Sequence, residues 1–203
     1  MVGTIGFDLD MTLVDSSVGI ERSMQALARE TGRFIDVPLV LSRLGSKLEA
    51  ELGQWFPPDE VTDASQRYRE IYFDECVNGT TAFAGASSTL DEVHARGGSV
   101  LVVTAKSAPL AQRCLEHVGL EYDALVGLVY GTEKTAALHA HGAHAYVGDT
   151  VTDVASALAA GATAVAVSTG PDRAEQLRAA GAHVVCASMV EVAAWVRGLP
   201  TLT

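Results

Sequence analysis

Thr4-Ile5-Gly6-Phe7-Asp8-Leu9-Asp10-Met11-Thr12 is a short apolar run that closes on two acids. Side chains two apart on a strand share a side, so Asp8 and Asp10 face together. Carboxylates at the end of a buried strand are costly unless they bind a cation or do chemistry. In open parallel sheets, ligands gather at the strand ends. Taken alone, the pair is equally a strand end with an Asx turn, and Thr12 equally a turn residue or a hydroxyl bracing the loop. A second acidic fragment, Gly148-Asp149-Thr150-Val151-Thr152-Asp153, closes a later apolar run. Alone, Asp149 and Asp153 read as acids at a helix N-terminus. Converging with Asp8 and Asp10 on one sheet edge, they would repel without a cation. Mg²⁺ suits them: it prefers oxygen ligands, keeps waters, and is often held together with substrate phosphate.

Working outward, further short apolar runs cover residues 99–104, 125–130, 143–148, 163–168 and 183–186. Helical patterns separate or follow them at 86–96, 109–118, 133–141, 151–160, 173–180 and 189–197. Near-continuous apolar strands alternating with helices predict a parallel sheet covered on both faces. Gly119, Gly142, Gly161 and Gly181 fall just after helical stretches, where a left-handed C-cap is expected. Residues 15–81 break the alternation, showing helical patterns and no strand. Residues 18–30 place Ile20, Met24, Leu27 and Ala28 on one face. Ser46-Lys47-Leu48-Glu49 fits a capping box. Residues 59–76 carry Val61, Tyr68, Ile71, Tyr72 and Cys76 as apolar positions, and Asn78-Gly79 ends that pattern. The expected organisation is a Rossmann-like core at 1–14 and 82–203, with an all-helical lid at 15–81 over the strand ends.

The chain has 203 residues, 48% apolar and 19% charged, enough for a substantial core. Its net charge of -11 argues against a nucleic-acid partner, which needs basic stripes. Three scattered cysteines, Cys76, Cys114 and Cys186, form no CxxC, so no disulfide framework or zinc site is expected. The opening Met1-Val2-Gly3-Thr4 lacks a basic n-region, and no run is long enough for a membrane span, so a cytoplasmic protein with no membrane partner is expected. His139, His141 and His144 suggest a metal cluster, but residues two apart diverge on a helix. Trp55 and Trp195 read as packing residues. No GxGxxG follows the first strand, and neither GxSxG nor HExxH occurs.

Two positions complete the polar set. Lys134 lies in the first turn expected of a helix, where a cation opposes the dipole; a solvated lysine is the plain alternative. Thr104 ends the 99–104 run, and its hydroxyl with the backbone N–H groups of the following Ala105-Lys106-Ser107 suits a phosphate above a helix N-terminus. Ser107 as an ordinary N-cap explains that segment equally well.

Taken together, Asp8-Leu9-Asp10-Met11-Thr12, Thr104, Lys134 and Gly148-Asp149 through Asp153 resemble, in order and spacing, the four motifs of the haloacid dehalogenase superfamily, specifically its phosphatase branch. The resemblance spans nearly the whole chain and is similar to phosphoglycolate phosphatases, whose helical C1 cap occupies the place of residues 15–81. It implies an α/β core with strand order 3-2-1-4-5 and a phosphatase acting on a small phosphorylated substrate, as monomer or homodimer. By position, it implies Asp8 as nucleophile forming an aspartyl-phosphate and Asp10 as general acid, then base. Asp8, Asp10 (through its backbone carbonyl) and Asp149 would hold Mg²⁺ with Asp153 in support. Thr104 and Lys134 would bind the transferring phosphoryl, with Thr12 and Ala105 beside it. Met11 departs from the glycine usual at its position. Dehalogenases of the superfamily typically lack the second acid that Asp10 supplies, which favours phosphoryl transfer. The polar break at 41–47 is similar to the family's specificity loop, where Arg43 or Lys47 would meet a second anionic group; solvated cations are the alternative. Two competing functions stay open: a phosphomutase of the β-phosphoglucomutase type, and a receiver-like signalling module.

Overall fold

The computed structural model describes residues 3–200, without the side chains of Cys76 and Val77. The readings made on Met1-Val2 and on Cys76 as an apolar position therefore lie outside the described parts. Strand β1 (Thr4–Phe7) is the middle of a parallel sheet. It pairs with β4 (Ser99–Val103) on one side and β6 (Ala143–Gly148) on the other. Beyond β4 lies β5 (Ala124–Val126); beyond β6 lie β7 (Thr163–Val167) and β8 (Val184–Cys186). Counting only these strands, the order is 3-2-1-4-5-6. The switch point falls at β1, so the chain leaving β1 and the chain leaving β6 emerge side by side.

Strand periodicity sorts the core into two halves. Ile5, Phe7, Val100, Val102 and Val147 face one way, against α5 (Ala86–Ala95), α6 (Ala108–Val118) and α10 (Met189–Gly198). Leu101, Val103, Tyr146, Ala164 and Ala166 face the other way, toward α7 (Thr132–Ala140), α8 (Val151–Ala159) and α9 (Ala174–Ala179). Each fully buried Val, Leu or Phe contributes roughly 1.5–3 kcal/mol relative to exposure. That return explains why the strands read as unbroken apolar runs. Trp195 packs against the first half. Gly119 ends α6 with φ 68°, and Gly142, Gly161 and Gly181 also have positive φ.

Two strands are shorter than the apolar runs suggest. β1 stops at Phe7 because the chain folds back: the Thr12, Leu13 and Val14 amides all donate to the Leu9 carbonyl. β5 stops at Val126 because Leu128 and Val129 donate to Lys106 and Thr104 in the loop after β4.

Between β1 and the remainder stand α1 (Ser17–Thr31), α2 (Val37–Leu41), α3 (Leu48–Leu52) and α4 (Val61–Asn78). They share a separate apolar cluster built on Ile20, Met24, Leu27, Leu52, Tyr68 and Tyr72, with Trp55 beside it. Leu110 and Cys114 of α6 join that cluster and seat the helices on the core. The expectation of no strand here needs correcting at its two ends. Val14–Asp15 (β2) and Thr81–Ala82 (β3) pair antiparallel, tying entry and exit together. Two residues are too few for a period-2 signal. The capping box expected at Ser46 is also absent: Lys47 is the N-cap of α3, without a side-chain capping bond, and the Ser46 hydroxyl donates back to the Arg43 carbonyl. Helix α2, not anticipated, is capped by Asp36, whose carboxylate accepts the Leu39 amide at 3.1 Å.

Candidate active site

Asp8 is the first residue past β1; its amide donates to the Val147 carbonyl, which fixes its carboxylate over the sheet edge. Asp149 is the first residue past β6, and Asp153 sits in the first turn of α8. All three carboxylates are buried, with ligand oxygens within 4.8 Å of one another. Lys134, in the first turn of α7, sends its ammonium among them, 2.8 Å from Asp8 Oδ1 and 2.7 Å from Asp153 Oδ1. A lysine so placed opposes the helix dipole at a cost of about 0.3–1 kcal/mol. Two buried carboxylates offset that cost.

Asp153 serves two structures at once. Its Oδ2 accepts the Thr150 amide at 3.2 Å and hydroxyl at 2.6 Å, a true capping interaction, while Oδ1 faces Lys134. Asp153 thus caps α8 with one oxygen and pairs with Lys134 through the other. Asp149 Oδ1 accepts the Thr12 hydroxyl at 2.9 Å, so Thr12 braces one acid against the other fragment. Burial pushes the Asp8 carboxyl up to about 7 against the pull of Lys134, with Asp153 adding to the rise. Burial, then Asp153 and Asp8, hold Asp149 well above the usual carboxylate range. For Lys134, burial disfavours the charge, but Asp153 and Asp8 outweigh it and keep the ammonium firmly protonated.

Three buried acids against one ammonium leave excess negative charge in an all-oxygen donor set, which fits a hard divalent cation. The packing around Asp149 agrees. A Cβ at Gly170 would lie 1.7 Å from Asp149 Oδ2, so only glycine there leaves the Asp149 carboxylate in its place. Among the described residues no other group of acids, histidines or cysteines is placed to hold a metal, and His139, His141 and His144 do not form one.

Asp10 stands apart from the three. Its carboxylate accepts the Lys106 ammonium at 2.7 Å and the Ser16 hydroxyl. Lys106 also donates to the Tyr72 hydroxyl at 2.6 Å and lies over that ring, linking α4 to the core beside Asp10. Met11 takes φ 60°, the left-handed region where glycine is the easier residue. Its amide donates to Val14 and its carbonyl accepts the Thr169 hydroxyl, which pins the turn. Thr104 is buried at the end of β4, its hydroxyl accepting the Lys106 amide at 3.2 Å.

A cavity of about 600 Å³ opens between the helices and the core, touching Asp10, Ala105 and Lys106 below and Arg43 and Lys47 above. Arg43 and Lys47 reach it with their charges engaged, by Glu51 and Glu133 respectively. Lys106, Tyr72, Ser16 and Gly170 touch the candidate site's acids or their partners and were not singled out for it from the sequence. Only Lys106 carried a signal, two positions beyond the strand-ending Thr104.

Residues 5–167 match the family model described as Haloacid dehalogenase-like hydrolase. The chain belongs to that family. Among curated relatives, IndB of Dickeya dadantii, named a probable phosphatase, is 29% identical over 92% of this chain and 90% of its own. A phosphoglycolate phosphatase of Chromobacterium violaceum is 28% identical over 94% of this chain and 95% of its own. A crystal structure titled a predicted phosphatase from Clostridium acetobutylicum superposes with a TM-score of 0.83 at 23% identity, covering 97% of this chain and 99% of that one. Family and relatives agree on an enzyme of the phosphatase kind. Among the described residues, no helix is long and apolar enough to cross a membrane.

Proposed function

We propose that the protein hydrolyses a small phosphorylated metabolite with Mg²⁺, through an aspartyl-phosphate on Asp8. The observation that carries this reading is the buried Asp8–Asp149–Asp153 cluster with Lys134 inside it, next to a cavity that reaches Asp10. Asp8, Asp149 and the Asp10 backbone carbonyl would hold Mg²⁺, with Asp153 in support. When bound, Mg²⁺ offsets negative charge on the phosphoryl oxygens and keeps Asp8 ionised.

The protein's own groups do the remaining work. Asp8 attacks phosphorus in line, with Lys134 beside it to offset charge on the phosphoryl oxygens. The Thr104 hydroxyl and the amides of Ala105 and Lys106 suit the same phosphoryl group. Asp10, at the cavity floor, gives a proton to the departing alkoxide and then takes one from the water that clears the intermediate. Residues 15–81 act as the cap, and their closure over the cavity excludes bulk water during the first step. The β2–β3 ladder is the natural hinge for that motion. With Mg²⁺, p-nitrophenyl phosphate should release phosphate over many turnovers, and Asp8→Asn should lose that release while remaining folded by circular dichroism. Retention of most activity in Asp8→Asn would refute the assignment. A requirement for a bisphosphate activator would instead point to a mutase.

A further inference from the structure

Resting on that reading, we infer that the alcohol released is uncharged, carries apolar surface, and is larger than a two-carbon acid. The cavity above Asp10 holds about 600 Å³, inside the roughly 300–1,000 Å³ range of sites that enclose whole drug-sized ligands. Charged side chains share its lining, but the larger part of its exposed wall is apolar, supplied by Ile20, Met24, Val40, Leu48, Leu110 and Val129. A glycolate-sized group would leave most of that apolar wall against water.

The charges at the inner end are already matched. Arg43 donates to Glu51 Oε1 at 2.7 Å and to Gln54 Oε1 at 2.8 Å. The Glu51 side chain is only 7% exposed and also accepts the Trp55 indole N–H. Drawing Arg43 away to a ligand carboxylate would strand a buried anion, the costly way to break such a pair. Lys106 is committed in the same manner, to Asp10 and the Tyr72 hydroxyl. Arg69 and Lys47 stand further out, each paired with a half-exposed acid, Glu49 and Glu133, where solvent screens what they offer. A carboxylate entering beside Glu51 would meet a buried anion, and each lining cation is already paired with an acid, with Arg43 Nε left as a buried donor without a partner. An uncharged group meets neither cost and gains the aliphatic wall.

The test compares benzyl phosphate with 4-carboxybenzyl phosphate, whose alcohols differ chiefly by the distant carboxylate, on the full protein with Mg²⁺. We expect kcat/KM for benzyl phosphate to exceed that for the carboxylated ester by about tenfold or more, the size of one uncompensated charge near a protein surface. It should also exceed the value for 2-phosphoglycolate. In Glu51→Gln, which frees Arg43 while keeping side-chain shape, the discrimination between the benzyl esters should shrink to about threefold or less. Near-equal values in the wild type, or a preference for the carboxylated ester, would overturn this inference and leave the phosphatase reading standing. Equal phosphate release by wild type and Asp8→Asn would overturn the reading itself, and the inference with it.

Discussion

At the residue scale, the site depends on side chains held by partners outside the motifs. Asp149 keeps its place in the cluster because Gly170 has no Cβ to displace it and Thr12 binds its other oxygen. Gly170 does not have a left-handed backbone, so alanine meets no conformational barrier, only the carboxylate. Gly170→Ala should therefore fold normally yet weaken Mg²⁺ binding by about 10–100-fold, as changes behind a metal ligand commonly do. Isothermal titration with Mg²⁺ checks this; unchanged affinity would remove Asp149 from the binding set. The grouping of Asp8, Asp149, Asp153 and Lys134 was legible because acids at strand ends and a lysine at a helix start are locally unfavourable. Gly170 and Ser16 were not, since neither breaks any local rule. Their importance arises only from which atoms the fold brings against them.

At the scale of elements, the alternation of apolar runs and helices was legible because both faces of the sheet are covered, leaving every strand apolar. The β2–β3 ladder was invisible because its four residues are joined across 66 positions of chain, from Asp15 to Thr81. The start of α3 was misread because a Ser-x-x-Glu pattern needs the serine at the N-cap, and the chain turns one residue later. One close approach sets how the longest helices meet. The Gly19 amide donates to the Gly79 carbonyl at 3.2 Å, and a Cβ on Gly79 would lie 2.3 Å from that same nitrogen. Backbone against backbone has no side chain to yield. Gly79→Ala should destabilise the protein by about 1–3 kcal/mol, the usual range for overpacking. Urea denaturation reads it, and a loss under about 0.5 kcal/mol would show that α1 and α4 slide apart freely.

At the scale of the whole molecule, stability is coupled to proton and metal occupancy of one cluster. Without metal, the Asp8 carboxyl sits near 7 in the fold, against about 3.9 in an unfolded chain. Its contribution is therefore intact below about pH 4, is lost as pH rises toward about 7, and is level above that. Asp149, raised for the same reason, acts in the same direction. Mg²⁺ binds the folded state and needs these acids deprotonated, so it should restore more stability at high pH. The gain in melting temperature on replacing EDTA with Mg²⁺ should be clearly larger at pH 8 than at pH 5.5. An equal gain at both would mean that the cation binds elsewhere.

The central claim is that Asp8 carries the phosphoryl group between substrate and water. The most direct measurement quenches Asp10→Asn in acid during turnover of radiolabelled p-nitrophenyl phosphate with Mg²⁺. That leaving group needs no proton from Asp10, so the intermediate forms but clears slowly. Labelled protein should accumulate, and peptide mapping should put the phosphoryl on Asp8. Label on another residue, or unlabelled protein during steady phosphate release, would contradict the account.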